Sequence, residues 1–89
     1  MDGRAMNVEI ARSLDLRGLS GHEMTEQAAQ AIRKLGPGAL VEVLGDDPAS
    51  AAAFASWSSA TGSDLLESSR FGTLYRFVVR RRAAGRPER

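Results

Sequence analysis

The chain has no cysteine. That absence removes disulfides, thiolate nucleophiles, persulfide chemistry and thiolate metal sites at once, although it does not fix a redox compartment. There is one histidine, His22, so a zinc-type centre would rest on a single imidazole, where such sites usually show richer ligand sets. Neither sign of charge dominates. The formal net charge is +1, too near zero to imply a nucleic-acid or membrane partner by itself. No apolar run approaches the length that crosses a bilayer, and Asp2, Arg4, Asn7, Glu9 and Arg12 interrupt the stretch where a signal peptide needs one. A cytoplasmic protein with no membrane partner is the expectation, with Met6 as an alternative start. Internal repeats and linkers are also missing, and 89 residues suffice for one domain, which buries only about 60–65% of its unfolded surface.

What is present alternates between strand and helix signals. Val8, Ile10, Leu14 and Leu16 recur with the period of a half-buried strand. Ser20 and Glu23 form an S-x-x-E capping box that starts a helix, and Met24, Ala28, Ala31, Ile32 and Leu35 give it one apolar face. Gly36-Pro37-Gly38 stops it, with a glycine just past its end. Leu40, Val41, Val43 and Leu44 predict a central strand. Asp46-Asp47-Pro48 follows, an aspartate cap with proline at the first helical position, leading into a helix over 51–60 whose Phe54 and Trp57 share a face. Gly62 ends that helix. Leu65 and Leu66 open a third strand, Gly72 turns the chain, and Leu74, Tyr75, Phe77, Val78 and Val79 form a fourth. Trp57, Phe54, Tyr75, Phe71 and Phe77 read as core and hairpin packing rather than a base-stacking surface.

The order β-α-β-α-β-β predicts an α+β two-layer sandwich, a four-stranded mixed sheet with two helices on one face and a right-handed βαβ crossover. Residues 1–82 form the single expected domain. Residues 83–89, small, basic and broken by Gly85 and Pro87, read as a flexible basic C-terminal tail.

Residues 14–24 read LDLRGLSGHEM. The segment resembles the signature of the TusA family of sulfur-carrier proteins, also called SirA-like or YedF-like, which reads L-D-x-R-G-x-x-C-P-x-P. Leu14, Asp15, Arg17, Gly18 and Leu19 fit. Gly21 stands at the family's cysteine, His22 at its first proline and Met24 at its second. The resemblance extends to Arg81 and takes in the Asp46-Asp47-Pro48 turn and the hairpin ending Tyr75-Arg76-Phe77. It implies the same sandwich and a place in sulfur transfer. In such a carrier the cysteine sits where strand one enters helix one, and the helix end stabilises a thiolate or persulfide anion. Gly21 supplies no nucleophile, so the resemblance implies a carrier scaffold without the carrying atom.

Four readings of the loop Asp15, Arg17, Gly18, Ser20, Gly21, His22, Glu23 follow. A serine nucleophile needs a base; His22 is near, but the capping box already explains Ser20 and nothing evident orients the imidazole, so no catalytic residue is assigned and the reading leans away from an enzyme. A metal site from His22, Glu23 and Glu26 is poor in ligands, and first-turn glutamates complement the helix dipole in any case; no metal and no cofactor are assigned. Backbone N–H groups at Gly21 and His22 beside Arg17 form an anion-binding candidate, with Gly21 open to close approach. Asp15 and Arg17 also pair plausibly with each other to fix the loop. The preferred function is a non-catalytic, cysteine-less protein that binds a cysteine desulfurase or other sulfurtransferase-pathway partner. The alternative is nucleic-acid binding through Arg76, Arg80, Arg81 and Arg82, for which the similarity of the TusA fold to the C-terminal domain of bacterial translation initiation factor 3 gives some support.

Overall fold

The computed structural model describes residues 9–82; Val8 and the 83–89 segment lie outside it. Six elements follow in the expected order: β1 (Ile10–Asp15), α1 (Gly21–Arg33), β2 (Leu40–Gly45), α2 (Ser50–Thr61), β3 (Asp64–Phe71) and β4 (Leu74–Arg80). The sheet order is β1-β2-β4-β3. β1 and β2 are parallel, and β4 runs antiparallel to both β2 and β3. The sheet is therefore mixed, with the hairpin's second strand inserted at its centre.

Both helices cover the same sheet face. Val41, Val43, Phe77 and Val79 project from the two central strands, meeting Met24, Ala28 and Ile32 of α1 and Phe54 of α2 in one buried cluster. Phe54 stacks on Phe77 with centroids 4.4 Å apart, and Trp57 meets Phe54 edge-on at 5.6 Å. Met24 lies over Gly45, where a Cβ would collide with its terminal methyl; the glycine is the socket for that side chain. Among the described residues no helix is long and apolar enough to cross a membrane.

Four local expectations need correction. Ile10 does not share a face with Leu14, because the register slips between Ile10 and Arg12, pairing Ile10 with Leu40 on the helix-free face. A bulge of this kind inserts one residue and inverts the alternation. α2 runs Ser50–Thr61, one residue beyond the expected 51–60 at each end, and its N-cap is Ala49, without a side-chain cap bond, rather than Asp47. The Gly36-Pro37-Gly38 segment does not supply the cap of α1 through Gly36. Lys34 is the cap, Gly38 has the positive φ of 86°, and the Nη1 of Arg81 donates to the carbonyls of Ile32, Arg33 and Leu35. A cation at a helix C-terminus satisfies orphan carbonyls and the dipole together. Lastly, Phe71 is not packed: it is 62% exposed at the end of β3. Gly62 does end α2, in the left-handed conformation.

The face without helices carries a polar belt drawn from all four strands. Ser13 Oγ donates to Glu42 at 2.8 Å; Arg76 reaches Glu42 through Nε and Glu67 through Nη1, both at 2.6 Å; Ser69 Oγ donates to Glu67 at 2.7 Å. Arg76 and Ser13 hold the Glu42 carboxyl below its ordinary range, and Ser69 and Arg76 do the same for Glu67. A carboxylate whose folded pKa is depressed contributes stability above its unfolded pKa and loses it as pH falls through the folded one. Arg76→Met leaves two carboxylates facing each other, so it is expected to destabilise most at neutral pH. The gap from wild type should close as pH falls through the lowered folded range of the two glutamates, where Arg76 has no carboxylate left to hold. Urea midpoints between about pH 7 and about pH 3 check this; a gap independent of pH removes the belt's electrostatic role.

Candidate functional site

The candidate loop is built by a capping box at one side and an ion pair at the other. Ser20 Oγ accepts from Glu23 N–H at 3.1 Å, and the Glu23 carboxylate accepts from Ser20 N–H at 3.0 Å. Arg17 forks onto Asp15, with Nε and Nη2 at 2.8 and 2.6 Å from its two oxygens, and Arg17 N–H adds a third bond at 3.3 Å. The pair is more than half exposed. Its guanidinium holds the Asp15 carboxyl below the usual range. Thus Asp15, Arg17, Ser20 and Glu23 are all engaged in shaping the segment, as the sequence suggests for each of them.

The two aspartates after β2 have a role no local pattern announces. Asp46 Oδ1 accepts from Gly18 N–H at 3.0 Å, and Asp47 Oδ2 accepts from Gly21 N–H at 2.6 Å. The other Asp47 oxygen takes Ala49 N–H at 3.0 Å. The β2–α2 turn therefore ties down the β1–α1 loop at two points, and Asp47 bridges the starts of both helices. These partners lie 28 and 26 residues apart, which is why spacing alone conceals them.

Gly21 itself is buried. A Cβ there would stand 3.1 Å from Ala53 Cβ, 3.2 Å from Ser50 Cα and 3.4 Å from Ala49 carbonyl oxygen. The close approach that glycine permits is thus made by α2, not by a ligand, which corrects the picture of an open helix end. Of the N–H groups of the first three helical residues, Gly21 has Asp47 and Glu23 has Ser20; that of His22 alone lacks a partner among the described residues. An internal carboxylate already occupies the place where an external anion would bind.

His22 projects outward, 81% exposed by its side chain, with Nε2 3.1 Å from Glu26. Glu23 is turned to the cap, and Ser20 Oγ faces Glu23 N–H rather than the imidazole. The four arginines singled out above also have internal partners. Arg76 spans Glu42 and Glu67, Arg80 and Arg82 both fork onto Asp64, and Arg81 caps α1. Arg76 lies in the polar belt of the helix-free face, apart from Arg80, Arg81 and Arg82 at the other end of β4.

Comparison with known families finds one match: the family described as sulfurtransferase TusA, over residues 12–81. No curated protein matches the chain closely enough to be named.

Proposed function

The chain belongs to the TusA family, and we propose that it serves as a non-catalytic, cytoplasmic binding member, docking on a sulfur-transfer partner without carrying sulfur. Such a partner would be a cysteine desulfurase or another sulfurtransferase-pathway protein, met through the loop of Asp15, Arg17, Gly18, Ser20, His22 and Glu23 around Gly21. One observation carries the reading. The family's loop is held by internal bonds from Asp46, Asp47, Arg17 and the capping box, while the position of its cysteine is a glycine filled by helix packing. A persulfide needs a thiol sulfur, and the chain supplies none; a docking surface needs only a shaped, rigid loop. The arginines that a nucleic-acid reading requires are engaged by Asp64, Glu42, Glu67 and the end of α1, which favours protein binding over it.

A competition assay tests the proposal. A cysteine desulfurase from the same organism transfers sulfur to a cysteine-bearing TusA-family carrier, and this chain is added in excess. The expected result is slower transfer to the carrier, with the chain recovered from the mixture unchanged in mass. Transfer that proceeds at an undiminished rate, across the organism's desulfurases and sulfurtransferases, overturns it.

A further inference from the structure

The two ends of the sheet carry opposite charge. Where β1 and β2 finish, both helices begin and the β3–β4 hairpin turns, Asp15, Glu23, Glu26, Asp46 and Asp47 face Arg17 and Arg70. The two helix starts add roughly half a positive charge each, and the caps Glu23 and Asp47 offset it. Arg17 neutralises Asp15. Exposed Asp46, Glu26 and Arg70 remain, and with the excess of the two capping carboxylates over the helix starts the end is acidic. At the other end Arg33, Lys34, Arg80, Arg81 and Arg82 outnumber Glu9 and Asp64. The described residues thus form an electric dipole over roughly 20 Å, the length of the central strands.

The acidic end also holds Phe71, the more exposed of two exposed large apolar side chains among the described residues; the other, Leu66, lies toward the basic end. Asp15, Leu44, Arg76 and Ser69 form one row across the sheet. Phe71 on the last strand and the β1–α1 loop on the first both lie just beyond that row, about 14 Å apart at three strand spacings. One partner surface of ordinary size, about 800 Å² per side, spans both.

We propose that this end is a single docking face for a basic protein surface, with Phe71 as its apolar anchor and Glu26 and Asp46 steering the approach. The proposal rests on the binding function above and names the partner's chemistry: a cationic patch beside an apolar pocket that takes one aromatic ring. An aromatic anchor in a pocket carries much of an interface's affinity and shows in dissociation, whereas exposed charges around it act on association and are screened by salt.

The test measures association and dissociation rates of the desulfurase or sulfurtransferase whose sulfur transfer this chain slows in the competition assay, against wild type, Phe71→Ser, Glu26→Lys and Leu66→Ser, at about 50 and about 500 mM salt. Phe71→Ser is expected to weaken binding about tenfold or more through faster dissociation. Glu26→Lys should slow association several-fold at low salt only, and Leu66→Ser should change little. All three side chains are exposed, and circular dichroism confirms the fold of each variant. Binding that persists with Phe71→Ser within about twofold of wild type, or association insensitive to both salt and Glu26→Lys, overturns this docking face and leaves the binding function standing. If the chain slows none of the desulfurases or sulfurtransferases, both fall together.

Discussion

Phe77→Ala is expected to remove most of the protein's stability and leave it at the edge of unfolding at room temperature. Phe77 and Phe54 are fully buried, their rings stack at 4.4 Å, and Trp57 closes the group from α2. Truncating a buried phenylalanine costs about 3–5 kcal/mol through lost transfer energy and the cavity left behind. Whole domains are stable by about 5–15 kcal/mol, and one of this size belongs near the bottom of that range. The loss therefore consumes most or all of the margin. Phe77→Leu, which keeps most of the volume, should cost less than about 1.5 kcal/mol beyond the lost ring contact. Urea titrations followed by Trp57 fluorescence measure all three proteins. A Phe77→Ala variant within about 1 kcal/mol of wild type would show that the ring stack is not the centre of the core.

That core was legible because its signals are local. Alternation in β2 and β4, the apolar stripe of α1 and the three-residue spacing of Phe54 and Trp57 each report which side of an element is buried. The capping box was readable for the same reason, since Ser20 and Glu23 lie within one turn. The errors share the opposite cause. Asp47 looked like an ordinary cap for the helix that follows it, yet one of its oxygens serves Gly21 of the preceding helix. Gly36 looked like the stop of α1, yet Arg81 from the far end of the chain binds the carbonyls there. Ile10 looked inward until a bulge in the pairing with β2 turned it out. Periodicity describes a segment against an imagined flat neighbour; it holds no term for an acceptor or a bulge supplied from elsewhere. Phe71 failed for another reason. A hairpin aromatic packs only if a layer covers that part of the sheet, and both helices lie on the other face. For the candidate site, the motif located the loop and the glycine, but the geometry that closes over the glycine became visible only with α2 in place.

Gly21→Cys, which completes the family motif at its reactive position, is expected to yield a less stable protein with a sluggish thiol. The new Cβ would sit 3.1–3.4 Å from Ala53, Ser50 and Ala49, tighter than ordinary packing and partly against backbone, so the two helix starts must separate. Overpacking of this kind costs about 1–3 kcal/mol. The sulfur would also lie beside the Asp47 carboxylate, and a neighbouring negative charge together with burial disfavours the thiolate that reacts. His22→Cys is the contrasting variant: one residue along, 81% exposed by its side chain, it should keep wild-type stability within about 0.5 kcal/mol and react with a maleimide far faster. Ala53→Gly tests the cause. It removes the nearest atom, so in a double-mutant cycle Gly21→Cys should cost less in the Ala53→Gly background than alone, although Ala53→Gly by itself costs about 1 kcal/mol of helix propensity. If the Gly21→Cys protein is as stable as wild type and its thiol matches that of His22→Cys, then α2 does not exclude a side chain at position 21. If the coupling appears, the α2 contact at Ala53 is what excludes a side chain at position 21. A reactive thiol at position 21 would then require opening the helix contact as well as changing a single codon.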